Sequence, residues 1–198
     1  MGRPSNTKQR KQEIIQALLK VMSEQGYEKA SIQAIAEQAG LTPGLIHYHF
    51  KTKQDILLAL VNWIATAANE RLEKLDKVVD DPWLKLEAFI NARLATGDTE
   101  MPEVVAAWVV IAGESLRQPE IKEIYQDLIG QQLKMLKQLI ANVWEGKSSK
   151  SKEVIHLSAI ILAAMEGAFQ LSATASEIMP KNYAANSVLE LIKSRVGN

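Results

Sequence analysis

Apolar residues recur every three or four positions along almost the whole chain, and alternating runs are lacking, so the pattern predicts helices throughout and no sheet. A first helix is expected from about Asn6 to Gln25, with Ile14, Leu18 and Met22 on one stripe, Ile15 and Leu19 beside it, and Gly26 as the stop. Ser31 can cap a short second helix that carries Ile32, Ile35, Ala36 and Ala39 at helical spacing and ends at Gly40. Thr42 caps a third, with Pro43 at its first position, where a missing N–H costs nothing, and Leu45, Ile46, His49 and Phe50 on its apolar face. Thr52 and Asp55 have the spacing of a capping box and open a long fourth helix through Ile56, Leu57, Leu60 and Ile64 to about Val78. Pro82 opens a fifth helix ending near Gly97, and Pro102 a sixth running to about Arg117. Past Pro119, a seventh is expected from about Glu120 to Trp144, then the exposed loop EGKSSKSK. An eighth from about Lys152 to Ser172 and a ninth from about Asn182 to Val196 complete the chain.

Residues 31–50 are thus two short capped helices joined by a tight glycine turn. A DNA major groove is about 12 Å wide and admits one helix, so a reading head needs a short helix braced by another packed across it. The apolar faces leave the opposite side of the third helix free for bases and phosphates, which is a helix-turn-helix. On periodicity alone, a purely structural corner of two helices fits the same residues. Two histidines on the third helix invite a metal, but an offset of two points their side chains about 200° apart, which argues against a paired site.

Composition changes this picture little. Of 198 residues 47% are apolar and 23% charged, the balance of a globular protein with one or two compact units. The formal net charge is zero, yet residues 1–55 carry eight Lys/Arg against five Asp/Glu, a net of +3, and the remainder carries −3. Arg3, Lys8, Arg10 and Lys11 are either a solvated helix start or, beside a reading head, a source of phosphate attraction. Cysteine is absent, which excludes disulfides, thiolate metal sites and cysteine nucleophiles. The N-terminus MGRPSNTKQRKQ has no secretory apolar core, and no apolar run is read as reaching the ~18 residues of a membrane span, so a cytoplasmic protein with no membrane partner is expected. An enzyme is not expected, since no phosphate loop, G-x-S-x-G or metal-ligand spacing is present. A helical adaptor that binds protein through residues 56–198 remains the rival from another class.

The segment AIAEQAGLTPGLIHYHFKTKQDIL, residues 34–57, resembles the signature of TetR-family regulators, through Gly40, Gly44, His47, His49, Phe50 and Lys53. The resemblance covers residues 8–60 and implies an all-α, nine-helix TetR-like architecture. Residues 1–52 would then be a helix-turn-helix DNA-binding domain, and 53–198 a helical ligand-binding and dimerisation domain. It further implies base readers at Thr42, Pro43, Gly44, Leu45 and Tyr48, with Gln33 reaching from the second helix, and phosphate contacts at Ser31, His47, His49 and Lys53. His47 stands where the family usually has Tyr. For His49, half-buried packing and a phosphate contact are both open and compatible. The implied partners are a double-stranded operator, a second copy of the chain and a small effector. The effector is of unstated identity, no cofactor is expected, and repression is favoured over activation.

The eighth helix, EVIHLSAIILAAMEGAFQLSA, is apolar over most of its circumference and rich in small residues. It reads either as a core helix buried all round or, with Tyr183, Val188, Leu191 and Ile192 of the ninth, as half of a four-helix dimer interface. Candidate effector residues are Trp63, Trp108, Glu114, Tyr125, Glu166 and Phe169. Most bulky residues at helical spacing pack the core, but Glu114 and Glu166 interrupt apolar runs. A buried carboxylate needs a basic partner, solvent or a cationic ligand. WVVIAGESLRQPEIKEIYQDL and AAMEGAFQLSA resemble the choline-responsive, BetI-like repressors of glycine betaine synthesis. That implies a cation held by ring faces and a carboxylate, though the same residues suit a neutral apolar effector.

Overall fold

The computed structural model describes residues 6–76, 80–94, 102–181 and 183–196, and among these it contains nine helices and no strand. They are α1 (Thr7–Gln25), α2 (Ile32–Ala39), α3 (Pro43–His49), α4 (Lys53–Asp76), α5 (Pro82–Leu94), α6 (Pro102–Glu114), α7 (Pro119–Val143), α8 (Lys152–Thr174) and α9 (Tyr183–Val196). The all-α expectation holds. Arg3, and the expected ends of the fourth and fifth helices near Val78 and Gly97, lie outside the described residues, as does Asn182.

Local chemistry accounts for the boundaries that shape the head. Ser31 Oγ accepts from the Ala34 N–H at 3.1 Å and caps α2. Gly40, at φ 64°, ends it: the Leu41 N–H reaches the Ala36 carbonyl at 2.9 Å and the Gly40 N–H that of Glu37 at 3.2 Å, the paired bonds of a Schellman turn. Thr42 Oγ1 then accepts from the Leu45 N–H at 3.3 Å, so one left-handed glycine and one threonine turn the chain from α2 into α3. Ahead of α4 the capping box is complete: the Thr52 N–H donates to Asp55 at 2.9 Å and the Asp55 N–H to Thr52 at 3.1 Å. At α6 the sequence suggests a helix to Arg117, but it stops at Glu114. There the N–H groups of Leu116 and Arg117 take carbonyls three residues back, and Gln118 is extended.

Two cores result. The first joins Ile14, Leu18 and Met22 of α1 to Ile35, Ile46, Ile56 and Leu60, and continues into Ile111 of α6 and Ile121 of α7. Packing is therefore continuous across residue 52. The second joins Phe89 and Ile90 of α5, Leu136 and Ile140 of α7, and buried residues of α8 and α9. At about 2 kcal/mol for each buried Leu or Ile, these contacts hold the short helices, which are too short to persist alone.

α8 buries Val154, Leu157, Ile161, Leu162 and Met165 on one face, while Ile155, Ile160 and Leu171 on the other are exposed. Burial all round is thus not observed. The helix also corrects one expectation, since it contains a window of mean hydropathy 1.6 that is long and apolar enough to cross a membrane. Such a span would leave both Ser158 and Glu166 within the apolar stretch. In the fold Ser158 bonds the Val154 carbonyl at 2.7 Å and Glu166 faces α6 and α7, and the helix is the central element of the second core.

Candidate nucleic-acid interface and effector site

The head presents its polar side around α3. Thr42, Gly44, His47 and Tyr48 are exposed, Pro43, Leu45 and His49 half-buried, and Ile46 is buried beneath them. Tyr48 is 78% exposed, its ring edge-on to His49 at 5.0 Å. An aromatic left so bare on a helix whose other face is locked in the core is available to a partner. Ser31 and Gln33 are exposed on α2. The caps engage Ser31 and Thr42 as acceptors only, which leaves each hydroxyl proton free to donate. Gln33 is partly engaged, because Nε2 donates to Glu37 at 2.8 Å. Lys11 of α1 lies 5.5 Å from the Phe50 ring centroid, which brings the basic start of α1 to the end of α3. Lys53 is half-buried and held by Tyr27, a residue the sequence reading did not single out.

Of the six candidate effector residues, the fold brings three together from three helices. Glu166 of α8 accepts at Oε2 from Trp108 Nε1 of α6 and from the Tyr125 hydroxyl of α7, both at 3.0 Å. The two rings lie 5.1 Å apart at 37°. The second oxygen, Oε1, is buried and has no hydrogen-bond partner among the described residues. Burial, and next the Glu166 charge, push the Tyr125 phenol well above its ordinary range, so it stays a donor throughout the neutral range. The site is two ring faces and a carboxylate with one oxygen unengaged, placed where the two cores meet: Tyr125 edges the first and Phe169, one turn from Glu166, the second. Trp63 packs on the first core.

Glu114 is not in this cluster. It is buried at the end of α6, six residues beyond Trp108, where Gln118 Nε2 donates to it at 2.7 Å and Arg117 lies 3.6 Å away. Its basic and amide partners satisfy it without a ligand. Periodicity marked both glutamates as anomalous; which one keeps an open oxygen depends on the corner between α6 and α7. Gln132 on α7, whose buried Oε1 also lacks a partner among the described residues, was missed because an amide in a helix carries no sequence signal. Among the described residues no group of three or more His, Cys, Asp or Glu is placed to hold a metal.

Comparison with known proteins agrees with both halves. Residues 14–60 match the bacterial regulatory proteins of the tetR family, and residues 84–197 match the C-terminal region of BetI-type transcriptional repressors. The chain belongs to the TetR family. The family is one of transcription regulators and not of enzymes. Curated TetR-family relatives include the HTH-type transcriptional regulator BetI of Proteus mirabilis, 29% identical over 117 residues, 58% of this chain and 58% of that protein. The BetI of Rhizobium meliloti is 27% identical over 115 residues, 58% and 56% of the two chains. The matched stretch thus spans less than two thirds of either relative. Among solved structures, a transcriptional regulator from Rhodococcus sp. Rha1 superposes with a TM-score of 0.80 at 20% identity, over 94% of this chain and 95% of that one. A putative regulator from Saccharomonospora viridis, in complex with choline, gives 0.79 at 18% identity over 96% and 97%. These superpositions show a shared fold.

Proposed function

We propose that this TetR-family chain is a cytoplasmic repressor that binds a palindromic operator as a dimer and releases it when a small cation occupies the Trp108–Tyr125–Glu166 site. The observation that carries the effector half is the unengaged, buried Glu166 oxygen beside two aromatic rings. A carboxylate taken out of water without a full set of partners is costly, and a cation against the ring faces offsets that cost. The Saccharomonospora viridis structure, which holds choline in the same fold, supports the choice of a cation over a neutral apolar effector.

For DNA, α3 enters the major groove, with Gln33, Thr42, Leu45 and Tyr48 at the bases, Pro43 and Gly44 permitting close approach, and Ser31, His47, His49 and Lys53 at phosphates. The bare Tyr48 and the free hydroxyl protons of Ser31 and Thr42 favour this assignment. The dimer forms through the open face of α8 together with α9, placing two copies of α3 about 34–36 Å apart.

Selection from a random DNA library tests the first half, with two inverted half-sites as the expected result. Tyr48→Ala combined with Lys53→Ala should abolish the salt-dependent shift; full retention of binding would sink the interface. For the effector, a quaternary ammonium compound should raise the melting temperature and release the selected duplex. A neutral hydrophobic compound that does both, while the ammonium does neither, rules out the cation.

A further inference from the structure

Lys53 stands in the first turn of α4, where the positive end of the helix dipole disfavours a cation. Among the described residues no carboxylate forms an ion pair with it. Instead its ammonium donates to the Tyr27 carbonyl at 2.9 Å and lies 4.1 Å from the centroid of the Tyr27 ring. An ammonium has three N–H donors, so one carbonyl and one ring face fix its direction without exhausting it. Tyr27 itself is only 7% exposed and belongs to the core that contains Ile111 of α6 and Ile121 of α7. Gln118, in the link between those helices, lies beside the Tyr27 phenol and donates to Glu114 at 2.7 Å. A backbone carbonyl and ring on one side, and an amide anchored to a buried carboxylate on the other, thus connect the α6–α7 corner to a lysine at the edge of the reading head.

We propose that Tyr27, braced by Gln118 and Glu114, is a positioning residue that presets the Lys53 ammonium for a DNA phosphate. The proposal rests on the reading of Lys53 as a phosphate contact. A free lysine loses rotamer freedom on binding, and Tyr27 removes that freedom beforehand. The same corner carries Trp108 one turn before Ile111 and Tyr125 one turn after Ile121, so an effector that shifts it also shifts the brace on Lys53.

The test is a double-mutant cycle on the full-length protein, reading affinity for the selected operator duplex across a salt series. Lys53→Met should weaken binding roughly tenfold and flatten the log–log salt slope by about one. Tyr27→Leu, which removes the ring face from the ammonium, and Gln118→Ala, which removes the side chain beside the phenol, should each weaken binding about threefold. In the Lys53→Met background both should have no further effect. Melting temperatures identify any variant that fails to fold, and Gln118→Ala, at a half-buried corner, then decides alone. Effects that add in full to Lys53→Met, or Gln118→Ala and Tyr27→Leu proteins that bind as the wild type does, overturn the positioning role and leave the phosphate contact standing. A Lys53→Met protein with wild-type affinity and slope overturns both.

Discussion

Glu166 and Glu114 are the same residue type in similar apolar surroundings, and their environments separate them. Glu114 has Gln118 and Arg117; Glu166 has two donors on one oxygen and none on the other. Glu166→Gln keeps an acceptor for Trp108 and Tyr125 but removes the charge. Operator binding should persist, while the concentration of a quaternary ammonium needed for release rises at least about tenfold, the worth of one charge-assisted contact. Unchanged release in a DNA-displacement titration would disprove the role. Tyr125 adds a pH signature. Its folded pKa lies above the ordinary 10.0, mainly from burial and then from Glu166, so its contribution to stability is complete below that value. The contribution falls as pH rises through and above 10, because the unfolded chain releases the proton first. Tyr125→Phe should therefore blunt the alkaline loss of stability, measured by urea unfolding at pH 9 and 11; parallel losses in the two proteins would refute it.

At the level of elements, the sequence was most legible where one residue decides a backbone group. Ser31, Thr42 and the Thr52–Asp55 pair were read as caps from spacing and are caps, because an N-cap needs only a local oxygen and the N–H groups two or three residues on. Removing the box with Asp55→Ala should cost about 1 kcal/mol in chemical denaturation, with operator affinity falling as the first turn of α4 frays. No change in either quantity would mean that the box is replaced by solvent. The end of α6 was less legible. Periodicity continues to Arg117, whereas the chain tightens after Glu114 into bonds three residues back before it turns into α7. α8 was ambiguous for a different reason: a helix apolar on every side has no sequence mark that separates the face meeting its own core from the face meeting a partner.

For the whole molecule, the open face of α8 is the feature a single chain leaves unexplained. Ile155, Ile160 and Leu171 are exposed beside the exposed small residues Ala159, Ala163 and Gly167, with Leu191 of α9 also uncovered. A second copy that covers this face requires it to stay apolar. Ile160→Glu should give a monomer by analytical ultracentrifugation and lose cooperative binding to the two-half-site operator, with helix content retained. A stable dimer with wild-type affinity would move the interface elsewhere. The first core runs continuously from α1 into α6 and α7, so the proposed coupling also belongs to this scale. In the proposed mechanism α4, which begins at the head, is one path for that coupling. The α6–α7 corner would be a second, since α6 and α7 supply two of the three candidate effector residues.

By itself the sequence determined the helices, their caps, the glycine turn and the family, since each follows from residues within one or two turns of one another or from a signature run without gaps. The tertiary structure alone decided the rest. It joined Trp108, Tyr125 and Glu166, which lie up to 58 residues apart, set Lys53 on a tyrosine 26 residues earlier, and left one face of α8 bare. Spacing cannot encode these, because a contact between helices depends on how whole faces pack, and a carboxylate's free oxygen depends on what the packing leaves unfilled.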